Sequence, residues 1–158
     1  MTRRDTGPIP EELPAEMRAE LAKRWNAHLG VQRMGVRLEI VSREELRGVV
    51  DPIEPHHRGG MGTPAVNGPI IAAVFDLVTG LTGYLQAPGQ RVGVAQLNIQ
   101  FLRPVLGSRF EVIGRPQKTG KSLVFVATEL VDETGVVCAT ADGIVSVSQA
   151  EGTNELAL

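Results

Sequence analysis

One charged side chain, Asp76, interrupts the otherwise uncharged stretch Val66-Asn67-Gly68-Pro69-Ile70-Ile71-Ala72-Ala73-Val74-Phe75-Asp76-Leu77-Val78-Thr79-Gly80-Leu81. Its Asn-Gly-Pro start is typical of a helix N-terminus, because Asn67 can act as a cap and Pro69 suits the first helical turn. Apolar residues cover every face of such a helix, which predicts burial on most sides. A membrane span is the alternative, but Asp76 and Thr79 at its centre favour the core helix of a soluble protein.

Asp76 itself requires an explanation if the helix is buried. A carboxylate removed from water costs several kcal/mol unless hydrogen bonds or charges compensate it. The structural interpretation is an aspartate held by backbone or side-chain partners. The functional interpretation is a catalytic acid whose pKa is tuned by burial.

The rest of the chain predicts one more helix and six strands. Leu13, Met17, Leu21, Trp25 and Leu29 recur every four residues, which predicts a helix over 11–29 that stops at Gly30 and is docked on the domain by Trp25. Alternating apolar residues and turn signals predict strands over 34–42, 46–51, 94–103, 110–115, 122–131 and 136–147. Small residues in the middle of the last strand leave room for the central helix against the sheet. The pattern therefore predicts an α+β protein with a helix packed on an antiparallel sheet.

The spacing of Gly68 and Asp76, followed by the strand Gln96-Leu97-Asn98-Ile99-Gln100-Phe101-Leu102-Arg103-Pro104, resembles the hot-dog-fold acyl-CoA thioesterases. The similarity is to the phenylacetyl-CoA and thioesterase-superfamily-member type and covers residues 34–148. It implies a hot-dog fold, in which an antiparallel sheet wraps around one long helix, with an extra N-terminal helix. The expected organisation is an N-terminal tail and helix over 1–33, the hot-dog domain over 34–148, and a flexible C-terminal tail over 149–158.

The chain departs from the family pattern around the helix start. Asn67 stands where the family has His, and Pro69 replaces the second Gly of its His-Gly-Gly motif. The preceding loop is about two residues longer, so no residue clearly matches the family's substrate-positioning Asn. Val94 occupies the position of a family Ser or Thr on the next strand.

The resemblance implies hydrolysis of an acyl thioester to free acid and coenzyme A, with Asp76 as general base or nucleophile. The backbone N–H of Gly68, with the helix dipole behind it, would stabilise the oxyanion. Asn67 stands at the position of the family's histidine, and the resemblance therefore makes it a further candidate catalytic residue. The alternatives are a non-catalytic acyl-CoA-binding protein, a hot-dog hydratase or dehydratase, and a purely structural oligomer.

Helix geometry adds a requirement for assembly. Eight residues separate Gly68 from Asp76, about 12 Å along a helix, so one carbonyl group cannot touch both residues of one chain. A two-fold dimer with antiparallel helices would bring Gly68 of one subunit to Asp76 of the other. We therefore expect a homodimer, or a homotetramer if the polar strand face of Gln96, Asn98 and Gln100 forms a second contact.

An acyl-CoA ligand would need cations near the site for its phosphates. The predicted substrate-binding residues are His57, Arg58, Val94, Arg103 and Lys121, with Lys118 as a further candidate. The adjacent His56 and His57 lack metal-ligand spacing and are expected to be solvated or at the substrate edge, so no metal and no cofactor are predicted.

Composition narrows the possible partners and location. The net charge of −2 over 158 residues provides no basic surface for nucleic acid or an anionic membrane. The only cysteine, Cys138, excludes an internal disulfide and lies in a Val-rich strand, where we expect it to be buried and inert. No secretory signal is visible at the N-terminus, so a cytoplasmic location is predicted.

Overall fold

A computed structural model describes residues 12–60 and 62–149, so the predicted tail over 1–10 and residues 150–158 of the C-terminal tail lie outside the described residues. The proposed domain boundaries stay a prediction. In chain order the elements are α1 (Ala15–Asn26), α2 (Leu29–Met34), β1 (Arg37–Ser42), β2 (Glu45–Val50), a 3-10 turn (Pro55–His57), α3 (Gly68–Gln86), β3 (Arg91–Phe101), β4 (Phe110–Thr119), β5 (Leu123–Asp132) and β6 (Val137–Ser148).

The six strands form one sheet in the order β1-β2-β4-β5-β6-β3, and every neighbouring pair is antiparallel. Helix α3 packs on this sheet and contacts β2, β3, β4, β5 and β6. The predicted α+β architecture, with a long central helix on an antiparallel sheet and an N-terminal helix, is confirmed. The strand order leaves β3 at one edge of the sheet.

Glycines on the strands allow α3 to lie close to the sheet. A Cβ atom at Gly143 would collide with the side chain of Thr79, and one at Gly114 would collide with Thr82. The same close packing appears on the helix itself, since a Cβ at Gly83 would lie 2.6 Å from Val145. The prediction that small residues in the last strand make room for α3 is therefore confirmed at Gly143.

The N-terminal helix is shorter than predicted and is followed by a second one. The chain leaves the helix at Ala27 and His28, and Gly30 lies inside α2 rather than at a helix end. Polar side chains cause the break. The Asn26 side chain donates to the carbonyl of Leu38 at 2.9 Å and accepts from its N–H at 2.7 Å, and the His28 side chain caps α2. The actual stop is Gly35, which has a φ of 66°.

Helix α3 is not buried on most sides, contrary to the prediction from its apolar composition. Val74, Phe75 and Val78 face the sheet and are fully buried, whereas Asp76 is exposed and Leu77 is only partly buried. By length and composition α3 could span a membrane. Its packing on the sheet is instead that of the core helix of a soluble protein, and its open face is available for a ligand or another chain.

Candidate active site

The start of α3 is held by Asn67 through both its side chain and its backbone. The Asn67 side chain accepts a hydrogen bond from the N–H of Ile70 at 3.0 Å, and its own N–H donates to the carbonyl of His57 at 2.9 Å. The predicted helix cap is therefore confirmed. The next N–H, that of Gly68, donates no hydrogen bond to any described residue. Among the described residues it therefore has no acceptor, and it lies at the positive end of the helix dipole.

Replacing Asn67 with Ala is expected to lower the free energy of unfolding by about 1 kcal/mol, because it leaves the N–H of Ile70 without its acceptor. Urea denaturation would measure the loss. Asn67→Asp is the matched control, since a carboxylate oxygen can accept the same bond and should retain most of the stability. An unchanged denaturation curve for Asn67→Ala would contradict the capping role.

Gly68 opens into a cavity of about 270 Å³ beside the end of β3, lined by Val66, Gly68, Ile71, Phe101, Leu102, Arg103, Pro104 and Val105. A Cβ atom added at Gly68 would lie 3.8 Å from the ring of Phe101, which is an ordinary contact distance. An alanine side chain therefore fits at position 68, although its methyl group would lie next to the backbone N–H of the same residue.

Asp76 is exposed rather than buried in the single chain. Its carboxylate makes no hydrogen bond or ion pair with any described residue, so the interpretation as a hydrogen-bonded structural aspartate has no support. The prediction of burial was wrong because it treated every face of α3 as packed, whereas Asp76 lies on the face away from the sheet.

A second cavity, of about 460 Å³, contains Asp76 and lies between α3 and the N-terminal helices. Its lining residues are Arg24, Trp25, His28, Gly30, Val31, Met34, Asp76, Leu77, Gly80, Leu81, Tyr84, Gln90, Arg91 and Val92. The volume falls within the range of small-molecule sites, which is about 300–1,000 Å³. Gly68 does not line it, and Asp76 does not line the cavity at Gly68. One chain thus presents the two predicted catalytic groups in two separate cavities.

His57 is fully buried, contrary to the expectation of a solvated or substrate-edge residue. Its Nδ1 accepts from the N–H of Glu54 at 2.9 Å, so its Nε2–H donates to the carbonyl of Met34, also at 2.9 Å. Burial lowers the pKa of the imidazole, which favours this neutral form. Because both nitrogens are occupied, the ring has no polar atom left for a substrate, and it supports the loop before α3.

The other predicted substrate-binding residues occupy different parts of the surface. Arg103 lines the cavity at Gly68 and donates to the carbonyl of Val137 at 3.0 Å. Arg58 donates to the carbonyl of Pro64 in its own loop and to that of Gly107 in the loop between β3 and β4. Val94 lies under Gly80, where an added Cβ would approach it to 3.3 Å. Lys121 is exposed after β4 and lines neither of these two cavities.

Sequence reasoning missed the residues that enclose the cavity at Asp76. Trp25 was predicted to pack α1 on the domain, and it does so, with its ring edge-to-face on Tyr84 at a centroid distance of 5.9 Å. The same Trp25–Tyr84 pair forms a wall of the cavity. The apolar residues that recur every four positions in α1 indicated that this helix packs on the domain. They did not indicate that a cavity remains between the N-terminal helices and α3.

The described residues contain no cluster of three or more His, Cys, Asp or Glu side chains that could hold a metal ion. Cys138 is buried, and burial raises the pKa of its thiol. Both features disfavour the thiolate, which is consistent with the predicted unreactive cysteine.

The chain is similar to known proteins. A family model described as the thioesterase superfamily matches residues 64–139, which include the start of α3 and Asp76. The chain has the hot-dog fold, and its residues 64–139 are similar to the thioesterase superfamily. The predicted resemblance and fold are thereby confirmed, and together they support a thioesterase-type function. No curated protein sequence is a significant match to the chain.

Solved structures share the fold at low sequence identity. A thioesterase from Haemophilus influenzae is 17% identical with a TM-score of 0.76, covering 87% of this hot-dog chain and 94% of that protein. Zebrafish thioesterase superfamily member 2 is 15% identical with a TM-score of 0.71, covering 86% and 99%. A Bacillus halodurans protein crystallised with CoA is 21% identical with a TM-score of 0.70, covering 84% and 87%.

Proposed function

We propose that this protein is an acyl-CoA thioesterase whose sites combine Asp76 of one subunit with the Gly68 N–H of its partner. The observation that carries the proposal is that the backbone N–H of Gly68 and the exposed carboxylate of Asp76, neither of which bonds a described residue, lie in different cavities of one chain. The CoA bound to the Bacillus halodurans protein of the same fold supports this class of ligand.

The unpaired edge of β3 supports a dimer of the required kind. This strand is 11 residues long and pairs with β6 on one side only among the described residues. A long exposed strand edge is a template for pairing with another chain. Antiparallel pairing of two β3 edges around a two-fold axis would continue the sheet and place the two α3 helices side by side in opposite directions.

The packing of α3 against β3 indicates where the two-fold axis would have to lie for the proposed site to form. Gly68 lies beside Phe101 and Gly80 beside Val94, so helix and strand run in opposite directions. Gly68 lies opposite the partner's Asp76 if the two-fold axis crosses α3 halfway between Gly68 and Asp76 of one chain. That point is about 6 Å along the helix from each residue. At about 3.3 Å per strand residue, this point lies about two residues before Phe101, near Ile99.

In the proposed reaction, the Gly68 N–H donates a hydrogen bond to the thioester carbonyl oxygen as negative charge develops on it. Asp76 acts on the same carbonyl carbon from the other subunit, either by removing a proton from an attacking water or by direct attack. The thiolate of coenzyme A leaves and takes up a proton. When water attacks, the free acid forms directly, whereas direct attack leaves a mixed anhydride on Asp76 that a water molecule then hydrolyses to the acid. Neither route requires a metal or cofactor.

A matched pair of variants at Gly68 tests the oxyanion role. Gly68→Pro removes the N–H, and proline is tolerated at a first helical position that follows the extended Asn67. We expect turnover of acyl-CoA substrates, followed by release of free thiol, to fall by about 10²–10³-fold, as when an oxyanion donor is lost. Gly68→Ala keeps the N–H and should retain far more activity.

The outcome that would contradict this role is a Gly68→Pro enzyme that remains folded by circular dichroism and keeps the parent rate. Absence of thiol release from a broad panel of acyl-CoAs by the parent protein would instead favour the alternative of a non-catalytic acyl-CoA-binding protein. We also propose that the protein is cytoplasmic and has no nucleic-acid or membrane partner.

A further inference from the structure

The cavity at Asp76 has two distinguishable ends. Asp76 and Tyr84 line it eight residues apart on α3, which places them about 12 Å from each other. The N–H of Gly89 donates to the hydroxyl of Tyr84 at 3.4 Å, so the segment that follows, including Arg91, lies at the Tyr84 end. Arg24 belongs to the same end, because its neighbour Trp25 packs on Tyr84.

The middle of the cavity is apolar. Its lining includes Leu77 and Leu81 of α3, between Asp76 and Tyr84 in the sequence, and Val31 and Met34 of α2. Gly80 contributes no side chain between the two leucines. A ligand extending from Asp76 towards Tyr84 would therefore pass along hydrocarbon surface before it reaches polar groups.

Arg24 and Arg91 place exposed positive charge at the Tyr84 end of the cavity. Arg24 and Arg91 make no ion pair and no side-chain hydrogen bond with the described residues, whereas the described ion pairs occupy Arg37, Arg47, Arg109 and Arg115. His28 also lines the cavity and offers a donor, since its Nδ1 accepts from the N–H of Gly30 at 3.2 Å and the ring proton must then be on Nε2. That Nε2–H has no described acceptor.

We infer that this cavity selects an acyl group with an apolar body and an anionic far end, most simply a carboxylate, which Arg24 and Arg91 bind. The inference rests on the proposed thioesterase function, because it assigns the thioester carbonyl to the Asp76 end. Guanidinium groups suit this role, since they form charge-assisted, often bidentate hydrogen bonds to carboxylates. An ω-carboxyacyl-CoA long enough to cross the apolar middle is the expected class of substrate.

The test compares suberoyl-CoA with octanoyl-CoA, two probes of equal chain length that differ in the terminal carboxylate. We expect the parent protein to show a kcat/KM at least about tenfold higher for suberoyl-CoA, as one charged hydrogen bond can provide. In an Arg24→Gln/Arg91→Gln variant the ratio of the two values should fall to about one. Arg33→Gln, which removes an exposed α2 arginine that does not line the cavity, should keep the parent ratio.

Two results would overturn the inference: a parent ratio near or below one, or a ratio that the double variant leaves unchanged. In the second case the arginines bind a part common to both substrates, such as the CoA phosphates. If neither substrate is hydrolysed, the proposed function fails instead. The selectivity is then measured as the ratio of dissociation constants for the same two acyl-CoAs by calorimetry, with the same expected and overturning values.

Discussion

Turnover of acyl-CoA by the Asp76→Asn variant is expected to fall by at least ~100-fold, the usual contribution of a positioned acid or base. The substitution keeps the shape of the side chain but removes the carboxylate that would activate water or attack the thioester. Because Asp76 is exposed and has no described hydrogen-bond partner, the free energy of unfolding should stay within about 0.5 kcal/mol of the parent value. Thiol release and urea denaturation measure the two effects separately.

Asp142→Asn is the matched control for this experiment. Asp142 is also exposed, but it lies on β6 and lines neither the cavity at Gly68 nor the one at Asp76. It should leave both rate and stability near the parent values. An Asp76→Asn variant that hydrolyses acyl-CoA at the parent rate would end the assignment of this residue to the chemistry.

Mixing two inactive variants should restore activity if each site spans two subunits. Asp76→Asn and Gly68→Pro damage different halves of the composite site, so a mixed dimer contains one site with both defects and one site with neither. Random assembly makes about half of the dimers mixed, so the refolded mixture should recover about one quarter of the parent rate, and mixed dimers purified from it about one half. The two variants would carry different affinity tags, be unfolded and refolded together, and be purified through both tags.

The recovered rate distinguishes the composite site from a site within one chain. If both groups acted within a single subunit, mixed dimers isolated through both tags would be as inactive as the separate variants. Each variant refolded alone is the necessary control. Sedimentation of the parent protein as a monomer at micromolar concentration would remove the basis of the proposed site altogether.

Much of the fold was predictable from local patterns. The start of α3 followed from Asn67 and Pro69, because capping and proline geometry depend only on neighbouring backbone groups. Strand alternation located all six strands within a few residues, and Gly143 indicated where the helix approaches the sheet. The spacing of Gly68 and Asp76 along one helix predicts that a site using both residues spans two subunits, since helical rise is the same in every protein, and this stays a prediction.

The tertiary structure alone decided which face of α3 is open, because a helix that is apolar on every side carries no signal for the direction of the sheet. It therefore placed Asp76 at the surface and His57 in the interior, opposite to the predictions from composition. It also brought Arg24 and Trp25 of α1 together with Tyr84 and Arg91, which lie far along the chain from them, around one cavity. Such a space depends on how α1 and α2 dock across α3, which is a long-range packing outcome that no local pattern specifies.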